Sequence, residues 1–121
     1  MELLRVLLPL EITNGNTGRG GAFWQTAKLR KGYERDIRNL GHVREPFSVC
    51  VDVVYVRILG KRQRLWDASS VLRGTKELED SLVACGWWHD DGPNWIRNCD
   101  GRQDKGRRSE GPAVEIIVSS L

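Results

Sequence analysis

The chain has 121 residues, of which 40% are hydrophobic and 29% are charged, and its formal net charge is +3. This length predicts one domain spanning residues 1–121, since about two thirds of the unfolded surface can be buried at this size. No apolar run reaches the ~20 residues of a membrane-spanning helix, so we expect no membrane partner. Residues 3–10 contain Arg5 and lack a small-residue cleavage site, so they are not typical of a signal peptide.

Apolar periodicity in the first half predicts a strand and then a helix. Residues 3–10 are almost continuously apolar, which favours a strand buried on both faces. Residues 13–21 are rich in glycine but lack the spacing of a phosphate-binding P-loop, so we expect a mobile or DNA-facing loop. Apolar residues recur on one helical face through residues 23–40, and Gly41 is a suitable helix end.

The second half predicts a strand, a helix and two further strands. Residues 47–59 alternate between apolar and polar, and from Val54 onward both faces are apolar, as in a central strand. A helix is expected at about residues 69–85, capped by Ser69 or Ser70 and ended by Gly86. Strands at 95–103 and 113–118 complete the order β-α-β-α-β-β. We therefore predict an α/β (α+β) domain with a mixed sheet of about four strands and two helices.

Three cysteines stand far apart, at Cys50, Cys85 and Cys99. No CxxC pair is present, so a zinc site is not indicated. Cys50 falls in a strand pattern and Cys85 on the apolar face of a helix, which predicts buried free thiols. This cysteine usage favours a reducing compartment, and we expect a cytoplasmic location.

Basic residues are concentrated in three groups beside an acidic centre, which suits a polyanionic partner. Any one group taken alone is equally consistent with a solvated surface. The first group is Lys28, Arg30, Lys31, Arg35 and Arg38; the second is Arg57, Lys61, Arg62 and Arg64; the third is Arg102, Lys105, Arg107 and Arg108.

The acidic centre lies between residues 67 and 91. Asp67 and the pair Asp90-Asp91 stand at the two ends of the predicted second helix, and Lys76 and Asp80 lie within it. Carboxylates gathered in space could hold a divalent metal ion, and a basic chain that holds metal is a candidate for phosphodiester chemistry.

Each of these residues also has a purely structural interpretation. Asp67 could cap a helix, and Asp90-Asp91 before Gly-Pro is a common turn composition. Lys76 could form a surface ion pair with Glu79 or Asp80. The remaining polar and aromatic residues of interest are His42, expected in a loop, His89, which could touch the site, and Trp87 and Trp88, expected in core or dimer packing.

The order of these motifs is more specific than any one of them. It reads Arg64-Leu-Trp-Asp67-Ala-Ser69-Ser70, then Lys76, then Asp80-Ser-Leu82, then Gly86-Trp-Trp-His-Asp90-Asp91. This order resembles the RusA family of phage-type Holliday junction resolvases. Many members of that family carry Asp-x-Asp-Asn after a basic strand end, an early helical lysine, a helical Asp-x-Leu, and a glycine followed by Asp-Asp.

The resemblance implies Asp67, Lys76 and Asp91 as catalytic residues and Asp67, Asp91 and Asp90 as ligands of Mg²⁺, or of Mn²⁺ in its place. The metal would activate water and neutralise phosphate charge, and Lys76 would stabilise developing negative charge. Ser69 stands where the family carries its second aspartate. A neutral hydroxyl binds a hard cation more weakly than a carboxylate does, so metal binding is expected to be weakened or lost.

The implied function is a structure-selective endodeoxyribonuclease of DNA recombination and repair. Such a protein would resolve four-way DNA junctions by paired nicks, as a homodimer whose two-fold axis matches that of the substrate. Two alternatives remain: a relative that binds branched or duplex DNA without cutting, because of Ser69, and an α/β adaptor without metal. The DNA-binding residues expected are Lys28, Arg30, Lys31, Lys61, Arg62, Arg64, Lys105 and Arg107.

Overall fold

The computed structural model describes residues 1–13 and 23–120. The glycine-rich segment expected to be mobile or to face DNA lies, apart from Thr13, outside these residues. The described elements are β1 (Glu2–Leu8), α1 (Phe23–Asn39), β2 (Val51–Ile58), α2 (Ala68–Gly74), α3 (Lys76–Ala84), β3 (Ile96–Asp104), a 3₁₀ turn (Arg108–Glu110) and β4 (Ala113–Ser119).

The strands form one mixed sheet in the order β1-β4-β2-β3. β2 pairs with β3 in parallel, whereas β4 runs antiparallel to both of its neighbours. The parallel pair is possible because α2 and α3 form the long crossover that such a pair requires. The predicted α+β class and the mixed four-stranded sheet are confirmed.

The core lies between the helices and one face of the sheet. β2 turns Val51, Val53 and Tyr55 toward this core, and each of them is at most 1% exposed. β4 contributes residues 114, 116 and 118, and α1 packs against α3 above them. Trp87 and Trp88 are both 1% exposed, which confirms that they are core residues.

β1 is not buried on both faces, so that prediction was wrong. β1 is an edge strand that pairs only with β4. Val6 and Leu8 are buried, whereas Leu3 is 39% exposed and Leu7 is 37% exposed. Because the core cluster draws only on alternate residues of β1, the other apolar residues of the strand remain partly solvated.

The predicted second helix is divided into two at Thr75. α2 ends at Gly74 and α3 begins at Lys76. Thr75 is 2% exposed, and its hydroxyl donates a hydrogen bond to the carbonyl of Leu72 at 2.7 Å. A glycine and a threonine in succession have low helix propensity, and a hydroxyl bonded to a preceding carbonyl bends a helix. α2 consequently packs on β3 and α3 packs on α1.

The ends of these elements differ in detail from the prediction. Asp67 occupies the cap position of α2, as its structural interpretation predicted, whereas Ser69 and Ser70, the other predicted caps, lie within the helix. Gly86 follows α3 with a φ of +87°, as expected of a helix end, and Gly41 follows α1 with a φ of +80°. The strand expected from residue 47 begins only at Val51.

The cysteines are free thiols in different environments. Cys85 is 1% exposed, as predicted. Cys50 is only half-buried, because it precedes β2 in the chain, and its Sγ lies 3.6 Å from the carbonyl of Pro93. Over residues 1–13 and 23–120, none of the helices has the length and apolarity needed to cross a membrane.

Candidate functional site

Lys76 lies between two carboxylates. It is the first residue of α3, and Asp80 stands one turn later on the same helical face. The loop after α3 returns Asp91 to the start of that helix. Lys76 Nζ is 2.6 Å from Asp91 Oδ2 and 3.2 Å from Asp80 Oδ1. The fold therefore brings Lys76 and Asp91, two predicted catalytic residues, into direct contact.

The charges in this network shift one another's pKa. The hydrogen bond from Lys76 lowers the pKa of Asp91 below its ordinary value, and the same bond raises the pKa of Lys76. Arg30 of α1 extends the network, because its NH1 lies 3.8 Å from Asp80 Oδ2. Arg30 was predicted to bind DNA, and the structure places it beside the acidic centre.

Glu79 is a half-buried carboxyl group on the sheet side of α3. Burial raises its pKa above the ordinary value. The Tyr55 hydroxyl donates to Glu79 Oε1 at 3.4 Å, and Cys99 Sγ lies 3.9 Å from the same oxygen. Burial also raises the pKa of Cys99 to about 12. Glu79 was predicted only as a surface partner of Lys76, but its carboxyl group lies against Tyr55 and Cys99 of the sheet.

Asp67 and Ser69 lie at the start of α2. The Asp67 carbonyl accepts a hydrogen bond from the Ser70 amide at 2.9 Å, but its carboxylate makes no capping bond and is exposed. Ser69 is exposed as well, and it lines an open groove together with Lys76, Asp100 and others. The structure thus brings Ser69 into the same groove as the predicted catalytic lysine.

Asp90 serves a turn and also faces a second groove. Its Oδ1 accepts a hydrogen bond from the Gly92 amide at 2.7 Å, which is the turn geometry that its sequence context suggested. Asp90 and Asp91 line this second groove with Asp80 and Arg30. Asp67 is not among the residues that line it.

The metal donor set expected from the sequence is only partly assembled. Asp80 and Asp91 converge on one ammonium group, so this pair is placed where a cation is accepted. In residues 1–13 and 23–120, no three His, Cys, Asp or Glu side chains are grouped so that they could hold one metal ion. A complete ligand set would require Asp67, or another donor, to approach the pair.

A basic surface lies at the end of the sheet where β2 and β3 finish. Parallel pairing places Ile58 opposite Asp104, so the segments that follow both strands leave the sheet together. Four exposed basic residues in these segments make no ion pair with any described residue. We call Lys61, Arg62, Arg64 and Lys105 the basic end of the sheet.

Neighbouring arginines at this end of the sheet form ion pairs and hydrogen bonds within the protein. Arg107, predicted to bind DNA, pairs with Glu115 at 3.0 Å and with Glu110 at 2.9 Å. Arg108 donates to the carbonyl groups of Gly60 and Gln63. Sequence patterns did not separate these arginines from the unpaired ones, because Glu115 and the carbonyl groups of Gly60 and Gln63 approach them only in the folded protein.

α1 contributes a second basic surface. Its face toward the core carries Tyr33, 4% exposed, and Ile37, 0% exposed. Lys28 and Lys31 are exposed and pair with no described residue, whereas Arg38 pairs with a glutamate of the same helix. Lys28 and Lys31 are therefore the α1 residues that remain available to a polyanion.

The two histidines lie outside the Lys76 network. The His89 ring is exposed, and its centroid is 4.4 Å from that of the Trp95 ring. His42 lies in the loop after α1, as predicted, and its carbonyl accepts a hydrogen bond from Trp87 Nε1 at 2.7 Å.

Comparison with known proteins identifies no family. No family model and no curated protein sequence match the chain. Among solved structures, the periplasmic domain of MotB from Helicobacter pylori is similar with a TM-score of 0.43 and 12% identity, over 96% of this chain and 79% of that chain. This level of similarity indicates neither a shared family nor a shared activity.

Proposed function

We propose that this protein binds branched DNA and cleaves it as a metal-dependent, structure-selective endodeoxyribonuclease of the RusA type. The observation that carries the proposal is the convergence of Asp80 and Asp91 on Lys76. Carboxylates that accept a cation could hold a divalent metal ion for phosphodiester hydrolysis, and a nearby ammonium could stabilise negative charge on the phosphate. The resemblance in motif order, from Arg64 to Asp91, supports the same reaction class.

The basic end of the sheet supports the DNA partner. Its four side chains are exposed and carry positive charge that no described carboxylate neutralises. Such clusters bind phosphates by releasing counterions, so binding should weaken steeply with salt. Lys28 and Lys31 of α1 provide a further contact surface on the helical side of the domain.

The chemistry is assigned to residues near α3. Asp91, with Asp67 and Asp90 from the resemblance, would hold Mg²⁺ or Mn²⁺, and we add Asp80 to this proposed set because it contacts the same Lys76 ammonium as Asp91. A bound metal ion would supply an activated water and neutralise charge on the phosphate. The Lys76 ammonium would stabilise negative charge on the phosphate, since its side chain is 55% exposed and reaches the groove beside Ser69.

The wider biological setting is also part of the proposal. Two copies of the chain would form a homodimer that presents two sites to opposed strands of a four-way junction. The protein would act in DNA recombination and repair in the cytoplasm, where the free thiols would remain reduced.

The second candidate is a protein that binds branched DNA without cutting it. Ser69 favours this function, because a hydroxyl lines the groove where the family pattern carries an aspartate. The ion pair between Lys76 and Asp91 favours it too, because Lys76 already neutralises a carboxylate that a metal ion would need. An adaptor that binds neither metal nor DNA is the third candidate.

Cleavage of a labelled synthetic four-way junction tests the proposal. The junction is incubated with wild type in Mg²⁺ or Mn²⁺, and binding is measured in parallel without metal. Asp91→Asn removes one charge from the proposed site. Asp36→Asn is the matched control, because Asp36 lies on α1 and pairs with Arg35 at 3.5 Å.

The outcomes separate the three candidates. Paired nicks that disappear in Asp91→Asn and persist in Asp36→Asn support the nuclease. Tight binding without nicks in either metal supports the binding-only protein. Absence of both binding and cleavage would reject both DNA functions and leave the adaptor.

A further inference from the structure

The basic end of the sheet contains a turn whose backbone is held by hydrogen bonds to the Gln103 side chain. This basic turn comprises residues 60–66 and carries Lys61, Arg62 and Arg64. Gln103 lies near the end of β3, where its Oε1 accepts a hydrogen bond from the Trp66 amide at 2.9 Å. Its Nε2 donates to the Trp66 carbonyl at 3.0 Å. One side chain therefore satisfies both backbone groups of Trp66, as a neighbouring strand would.

Arg57 of β2 also contacts this turn. Its guanidinium lies 3.7 Å from the centroid of the Trp66 ring. Its NH1 donates to the Arg64 carbonyl at 3.0 Å and to Gln103 Oε1 at 2.8 Å. Arg57 is 4% exposed, so this arginine holds the turn and does not itself reach a phosphate.

The beginning of the turn is held as firmly as its end. The Gly60 amide donates to Gln63 Oε1 at 2.7 Å. Arg108 donates to the Gly60 carbonyl and, at 2.8 Å, to the Gln63 carbonyl. Buried or half-buried side chains thus fix both ends of the turn. The backbone between them is held in one conformation, and this conformation sets the directions of the exposed basic side chains.

We propose that Gln103, supported by Arg57, is a positioning residue of the DNA-binding surface. It holds Lys61, Arg62 and Arg64 in positions from which they can contact successive DNA phosphates at the same time. Like charges in a flexible turn would separate, and ordering them on binding would lower affinity. This inference rests on the proposed DNA-binding function. It means that an uncharged residue, Gln103, contributes to the affinity for DNA.

Gln103→Leu tests the inference without changing the net charge. We expect affinity for a four-way junction to fall about tenfold, because three long side chains must then be ordered at the moment of binding. The slope of log affinity against log salt should become shallower, because fewer phosphates are met at once. Trypsin should cut faster after the basic residues of the turn.

Two further variants show whether the effect is specific. Asn98→Leu also removes an amide from β3, but Asn98 donates to Asp52 and does not touch the turn. It should leave affinity, salt slope and trypsin cleavage unchanged. Arg62→Gln removes a phosphate contact directly, so it should lower the salt slope without speeding cleavage after Lys61 or Arg64.

Hydrogen exchange in the wild-type protein provides a readout that needs neither mutation nor DNA. The Trp66 amide should be protected, although it lies outside every helix and strand. Exchange at the unprotected rate would overturn the inference even where Gln103→Leu fails to fold.

Equal affinity and salt slope in wild type and folded Gln103→Leu would also overturn the inference, while leaving the proposed DNA function intact. Absence of junction binding by wild type would instead reject the proposed DNA function on which the inference rests.

Discussion

Lys76 Nζ and Asp91 Oδ2 lie 2.6 Å apart, although fifteen positions separate the two residues in the chain. Because the same nitrogen lies 3.2 Å from Asp80 Oδ1, an ammonium group fills the space between two carboxylates. A bound metal ion and this ammonium would compete for the same negative charge. Lys76 is thus at once the proposed stabiliser of phosphate charge and an internal counterion.

Lys76→Met should separate these two roles. Loss of the ammonium should raise the pKa of Asp91 toward its ordinary value of 3.8, since the hydrogen bond from Lys76 is the largest cause of the lowering. Mn²⁺ should bind more tightly, because Lys76 no longer pairs with either carboxylate and only the 3.8 Å contact of Asp80 with Arg30 remains, while junction cleavage should fall at least tenfold. Carboxyl-carbon NMR titration and Mn²⁺ titration measure the two effects. Weaker Mn²⁺ binding together with an unchanged pKa would contradict the counterion role.

Ser69→Asp should increase cleavage. The substitution places a carboxylate in the groove that Ser69 shares with Lys76, at the position where the resemblance expects one. A hard divalent cation prefers this ligand to a hydroxyl, so the cleavage rate in Mg²⁺ should rise by tenfold or more. Ser48→Asp is the control, because Ser48 is an exposed loop residue outside the grooves described. If wild type already cuts and Ser69→Asp cuts at the same rate, position 69 does not bind metal.

Arg62→Gln and Arg107→Gln should affect different properties. Arg62 is exposed and unpaired among the described residues, so its loss should reduce the salt slope of DNA binding by about 0.9. Arg107 pairs with Glu115, which is only 6% exposed, so its loss should instead lower the free energy of unfolding by about 1–2 kcal/mol. Salt-dependent binding and urea unfolding measure both variants. A salt slope that falls equally in the two variants would show that Arg107 also contacts phosphate.

Glu79→Gln should change how stability depends on pH. Burial raises the pKa of Glu79 above 4.5, so the folded protein holds this proton more tightly than the unfolded chain does. The associated stability is present below pH 4.5 and is lost as the pH rises through the folded pKa. The variant should therefore gain stability relative to wild type over that pH range and keep the gain at neutral pH.

Urea unfolding at several pH values measures this difference. Comparison with wild type at each pH is needed because Asp91, whose pKa is lowered, changes stability in the opposite direction. Glu45→Gln, at an exposed loop position, is the control. A constant difference between Glu79→Gln and wild type at every pH would contradict the burial of an ionisable group.

Local patterns predicted the elements of the fold because those elements depend on nearby residues. Alternation at residues 51–58 and helical spacing in α1 were visible in the sequence and are confirmed. The division at Thr75 was not predicted, because it depends on α2 and α3 packing against different partners. The edge position of β1 was also not predicted, since strand order is a property of the whole sheet.

The candidate site was predictable in its parts but not in its arrangement. The sequence identified Lys76 and Asp91, but their contact depends on how the loop after α3 returns to its start. The basic end of the sheet depends on the parallel pairing of β2 with β3, which joins two segments more than forty positions apart. Arg107 was assigned to DNA because its partner Glu115 lies on a strand whose pairing was unknown.

Gly86→Ala should destabilise the protein far more than Gly41→Ala. Both glycines have positive φ, so each substitution costs about 1 kcal/mol through backbone strain. At Gly41 an added Cβ meets nothing within 4 Å, whereas at Gly86 it would collide with the backbone carbonyl oxygen of Arg44. Overpacking against a fixed atom adds about 1–3 kcal/mol, so we expect a difference of that size in the free energy of unfolding.

This pair of variants separates the effect of the close contact between residue 86 and the Arg44 carbonyl from the effect of backbone strain. The loop carrying Arg44 is tied to the end of α3 by the hydrogen bond from the Arg44 amide to the Cys85 carbonyl, at 3.1 Å. Urea unfolding of both variants under the same conditions gives the comparison directly. Equal destabilisation would mean that this loop moves away freely. A large excess at Gly86 would show that the contact fixes the end of α3, from which the chain turns back to bring Asp91 to Lys76.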